Sequence, residues 1–132
     1  MMTFDDAAAI ALALPDVTEG ESHRGRTWSI GKKTFAWERP FSKADVKRFG
    51  ATTPPDGPIL AVRVADLDDK EAVLAEQAKG FFTIPHFDGY PAVLIQMKVA
   101  TKRRVREAIV DAWLASAPPA LADEYVKAHP PR

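Results

Sequence analysis

The 132-residue chain predicts a single α+β domain, an antiparallel sheet of about five strands with helices packed on one face. Three observations carry this. The signals run in the order helix, several hairpin-linked strands, then helices. Alternation is cleanest late in the chain, where Val93, Ile95, Met97 and Val99 fall on one face and Leu94, Gln96 and Lys98 on the other. A wide stripe of Val105, Ala108, Ile109, Ala112 and Trp113 then supplies a helix able to cover a sheet.

Thr3 caps the first helix and Asp6 completes a capping box. Phe4, Ala7, Ile10 and Leu14 share its apolar face, and Pro15 stops it. Asp16–Gly20 reads as a polar connection. Ser22–Ile30 is the first strand, Gly31–Lys32 a two-residue turn, and Thr34–Glu38 the second strand, broken at Arg39–Pro40. Ser42 and Asp45 open a short helix to Phe49, and Ala51–Pro58 is a loop. Ile59–Ala65 is the third strand, with Leu60, Val62 and Val64 inward and Arg63 outward. Asp66 or Asp68 caps a helix to about Lys79, with Ala72, Leu74, Ala75 and Ala78 as its apolar set and Gly80 as its stop. Phe81–Ile84 and Pro91–Val99 are the fourth and fifth strands. Thr101 caps the long helix, Ala117–Pro119 ends it, and Ala120–Ala128 is a final short one. The tail 129–132 should fray. Trp28, Trp37 and Trp113 are all expected in the core.

A domain of this size needs no disulfide or metal to bury a core. The absence of cysteine removes disulfides, thiol nucleophiles and cysteine zinc sites together. His23, His86 and His129 share no ligand spacing, so neither a metal nor another cofactor is expected. The first helix has an apolar run, but Asp5 and Asp6 stand where a secretory leader would be basic. No apolar run is long enough to cross a bilayer. The expectation is a cytoplasmic protein with no membrane partner.

With 18 basic and 18 acidic side chains the formal net charge is zero, which argues against strong non-specific nucleic-acid binding. The distribution is uneven. Between His23 and Gly50, Arg24, Arg26, Lys32, Lys33, Arg39, Lys43, Lys47 and Arg48 are opposed only by Glu38 and Asp45, so one basic surface is expected.

Candidate sites follow from that pattern and from one loop. Arg24, Arg26, Lys32 and Lys33 would load the first hairpin with charge that can track phosphates, or would protect an edge strand from aggregation. Lys102, Arg103 and Arg104 crowd the start of the long helix, where the macrodipole favours acids. They mark an anion site or a solvated face compensated by Glu107, Asp111 and tertiary neighbours. In Pro85–Pro91, His86, Asp88 and Tyr90 are candidate ligand contacts, with Phe87 and Tyr90 as walls. The same residues also read as plain turn chemistry around Asp88–Gly89. No serine or cysteine has a nucleophile's setting, so no enzyme is expected.

The ordered set LALPDVTEG, WSIGKKTFAW, FAWERP, PHFDGYPAVLIQM and REAIVDAWLASAP resembles the MmcQ/YjbR family of small bacterial proteins. The resemblance covers nearly the whole chain. It implies an α+β domain similar to type III secretion chaperones, and it carries a DNA-binding tag inferred from a likeness to a double wing. It supplies no catalytic residues. The expectation is therefore a non-enzymatic binding module contacting DNA through the hairpin and the basic helix start. The alternative is a domain binding a protein or a small anionic ligand through an open sheet face and the His86–Tyr90 loop.

Overall fold

The computed structural model describes residues 2–130. Helix α1 (Phe4–Leu12) precedes strands β1 (Val17–Ser22), β2 (Gly25–Ile30) and β3 (Lys33–Glu38). Helix α2 (Lys43–Phe49), strand β4 (Ile59–Arg63) and helix α3 (Leu67–Ala75) follow. Strand β5 (Phe81–Phe82), a 3-10 turn (Pro85–Phe87), strand β6 (Ala92–Gln96), and helices α4 (Lys102–Ser116) and α5 (Pro119–Ala128) complete the chain. Among the described residues the sheet has six antiparallel strands in the order β1-β2-β3-β4-β6-β5.

Helix starts follow their side chains. Thr3 with Asp6 and Ser42 with Asp45 form reciprocal capping boxes, while Asp66 and Thr101 cap α3 and α4. The strand that the pattern hides is β1. It lies where a connection was expected, is exposed from Thr18 to Ser22, and is held by its ladder to β2 rather than by apolar alternation. The stretch expected as one strand from Ser22 thus folds back at His23–Arg24, with Ser22 opposite Gly25. Helix α3 stops at Ala75, short of Lys79, and Gln77 takes a left-handed φ of 52°. Its expected apolar set is also displaced. Ala72 and Ala75 are exposed, whereas Lys70 is buried.

The main core lies between the sheet and the α1/α4 layer. Trp28, Leu60, Val62, Val93, Ile95 and Met97 meet Ala7, Ala11, Val105, Ile109 and Trp113 there. A bulge in β3 turns both Phe35 and Ala36 into it, since Ser29 pairs Thr34 and Trp28 pairs Ala36. Both buried indoles keep a partner, Trp28 Nε1 donating to Glu19 at 2.9 Å and Trp113 Nε1 to the Pro15 carbonyl at 3.1 Å.

The second face is not open as expected. Ile59, Ala61, Ile84, Phe87, Ala92 and Leu94 form a smaller cluster on it, roofed by Phe41, Phe49 and Phe82. Trp37 belongs to this second cluster, half-buried, and not to the main core. Central strands β4 and β6 are consequently apolar on both faces, the condition under which alternation fades. At the chain's end His129 stacks on Tyr125 with ring centroids 4.1 Å apart, and residues 131–132 of the expected frayed tail lie outside the described residues.

Gly80 closes the β5–β6 junction at a φ of +85°, and a Cβ there would lie 2.7 Å from the Gln96 carbonyl oxygen. Gly31 also has positive φ but opens onto free space. Gly80→Ala should therefore destabilise by about 2 kcal/mol or more and Gly31→Ala by about 1 kcal/mol. Urea denaturation of both variants checks the order; equal losses would contradict it.

Candidate functional site: a cleft on the second face of the sheet

Trp37 and Arg39 stand two residues apart and so point to the same side of the sheet. The Arg39 backbone N–H extends the ladder by donating to the Ile59 carbonyl at 2.9 Å. Its side chain is 2% exposed. Nη1 meets Asp45 Oδ2 at 2.9 Å and donates to the Pro40 carbonyl, while the guanidinium carbon lies 5.5 Å from the centre of the Phe87 ring. Asp45 is held from α2. Burial alone would raise its pKa, but the Ser42 N–H at 2.9 Å and the Arg39 charge keep its carboxyl below the ordinary value.

The loop after β5 is laid across this face by turn chemistry. Phe87 N–H donates to Ile84 at 2.9 Å, Asp88 to Pro85 at 3.0 Å and Tyr90 to Phe87 at 3.0 Å. Lys70 of α3, 7% exposed, reaches beneath the loop, and its ammonium donates to the carbonyls of Phe87 and Tyr90. Burial lowers the Lys70 pKa, with the Asp88 charge opposing the shift. Phe87 meets Tyr90 edge-on at 5.7 Å and lies nearly parallel to Trp37 at 6.5 Å. Arg63 donates to the Thr34 carbonyl at 2.8 Å and places its guanidinium 5.3 Å from the Tyr90 ring centre.

These groups surround one cleft of about 470 Å³, lined by Arg24, Trp37, Arg39 and the loop from His86 to Tyr90. That volume suits a small molecule. A larger cleft of about 610 Å³ lies between α3 and α4, but most of its polar groups already have work to do. Asp66 caps α3, Asp69 accepts the Ala65 N–H at 3.2 Å, and Glu76 pairs with Arg104. Its remaining acid, Asp111, is raised by burial, with Arg104 opposing.

The sequence-derived basic residues do not converge. Arg24 sits at the β1–β2 tip and joins His86, Asp88 and Tyr90 at the cleft. Arg26 is committed to Asp5 at 2.7 Å and Glu19 at 3.0 Å, over the Trp28 ring. Lys32 and Lys33 follow the far end of β2, whose six residues span roughly 20 Å. Arg104 pairs with Glu76 at 3.2 Å and lies over Phe81 on the helix side of the sheet. Lys102 and Arg103 remain exposed at the start of α4, Lys102 adding its charge to the Thr3 hydrogen bonds that hold Asp6 below its ordinary value.

Sequence reasoning missed Trp37, Arg39 and Lys70 as site-forming residues. Arg39 had one signal, an arginine between a strand and a proline with a capping aspartate three residues past Ser42. For Lys70 the only hint was a lysine inside a weakly apolar helix, and nothing local marks its loop partners.

A family model described as YjbR matches residues 12–115. Uncharacterized proteins of Mycobacterium bovis and of two Mycobacterium tuberculosis strains are each 41% identical over 128 residues, 96% of this chain and 97% of theirs. No solved structure matches the chain.

Removing the carboxylate from the buried pair strands a cation, so Asp45→Asn should cost about 3–5 kcal/mol at neutral pH. Because the folded pKa is depressed, the wild-type advantage is complete above the ordinary carboxylate range near ~4. It is lost as pH falls through the lower folded value. Denaturation of both proteins at stepped pH checks this, and a gap that stays constant into strong acid would contradict it. Lys70→Met should leave the sheet intact but speed amide exchange at 86–90, measured by hydrogen–deuterium exchange; unchanged protection there would show that the ammonium does not hold the loop.

Proposed function

The chain belongs to the YjbR family, and on that premise we propose that it is a non-enzymatic binding module whose site is the cleft between the β1–β2 tip and the His86–Tyr90 loop. The observation that carries this reading is convergence. Segments far apart in sequence deliver Arg24, Trp37, Arg39, His86 and Tyr90 to one concavity. A few fixed polar groups set among aromatic walls are what a small-ligand site requires. Binding rather than turnover fits the lining, which places no serine, threonine or cysteine beside His86 and hydrogen-bonds no carboxylate to it among the described residues.

A nucleic-acid partner has one observation in its favour. Lys102 and Arg103 are exposed on a helix start that carries no acidic side chain in its first turn. Two cations neutralise few phosphates, so such binding would be weak and salt-sensitive.

Amide chemical-shift mapping with an aromatic fragment panel, and separately with a short DNA duplex at low salt, tests the choice. Fragments should perturb residues 24, 37, 39 and 86–90, and Tyr90→Ala should weaken them several-fold. Fragment shifts elsewhere, or micromolar duplex binding abolished by Lys102→Ala with Arg103→Ala, would overturn the cleft reading.

A further inference from the structure

We propose that the cleft takes a small aromatic monocarboxylate, with its carboxylate on Arg24 and Arg39 and its ring against Trp37 and Tyr90. The proposal rests on the cleft being the binding site and adds the class of ligand.

Arg39 carries the inference. A nearly buried arginine normally has its donors answered by protein acceptors. Here Nη1 has Asp45 and Pro40, and the rest of the fork has no acceptor among the described residues. No buried side-chain nitrogen among them is left without a partner, so Nε and Nη2 are not sealed off, and Arg39 lines the cleft. A guanidinium fixed in this way keeps its Nε–Nη2 edge without a protein acceptor, and a carboxylate matches that edge. Arg24 supplies the second charge lining the cleft. It stands in the two-residue turn between Ser22 and Gly25, free of the acids that hold Arg26.

The charge balance sets the valence. The charged groups lining the cleft are Arg24 and Arg39 against Asp88, while Asp45 meets Arg39 from outside the lining. The surplus is positive, so an anion is favoured. A surplus of one charge along the lining matches a monoanion better than a dianion. The walls set the rest of the ligand. Phe87 has a guanidinium over its face and the edge of Tyr90 against it, so both rings are fixed before anything enters. Tyr90 is 37% exposed, which leaves aromatic surface open to a flat partner.

Titrating the full chain with 2-naphthoate, its neutral carboxamide and 2-naphthyl phosphate, followed by amide shifts and the Trp37 indole resonance, tests this. Naphthoate should shift the cleft residues and bind about fivefold or more tighter than the amide. Arg24→Gln should cut naphthoate affinity about tenfold while sparing the amide. Equal affinity for acid and amide would overturn the carboxylate assignment and leave the cleft a binding site. Tighter binding of the phosphate would also overturn it. If neither acid nor amide shifts the cleft, both the ligand class and the cleft reading fall.

Discussion

Lys70 places an ammonium between two main-chain carbonyls of a loop that follows it by many residues in sequence. An ammonium taken out of water is costly unless its donors are answered, and carbonyl oxygens answer them without adding charge. The loop thereby gains a fixed height above the sheet. Phe87 goes down into the second cluster, and Tyr90 stays up at its rim. The cleft opens at the height those two hydrogen bonds mark.

The same economy of layers explains the rest of the fold. One helix layer covers one face of six strands, and the other face has only α2, a 3-10 turn and aromatic side chains. A thin cover of this kind cannot be seamless. Large rings leave gaps where they meet, and the gap between Trp37, Phe87 and Tyr90 is where the charged groups gather. Arg39 and Asp45 stiffen one wall by joining the end of β3 to the first turn of α2.

Much of this was legible in the sequence. Capping boxes at Thr3 and Ser42 and the stripe of α4 depend on neighbours within one turn, and they are where the spacing puts them, whereas β6 stops at Gln96, short of the expected Val99. Strand β1 was not legible, because an edge ladder needs backbone partners and no apolar code. Nor was the covered second face, since Phe41, Phe49 and Phe82 are scattered and mark no periodic stripe. The loop's His86 and Tyr90 could be singled out, and so could Arg24, but only as part of a basic hairpin and not as their companion. It looks like its neighbours Arg26 and Lys32, and only the folded hairpin sends each to a different place.

Strand β1 is bonded along one side only, and its residues from Thr18 to Ser22 are exposed, with Glu19 tied back to Arg26 and Trp28. Such an edge opens at a lower free energy than the doubly covered centre of a sheet. The turn that carries Arg24 is therefore attached to an edge that opens more readily than the sheet's centre. Whatever grips that arginine draws the peeling equilibrium toward the zipped form. Occupancy of the cleft would then be felt as tightening along a ribbon of backbone that the occupant never touches.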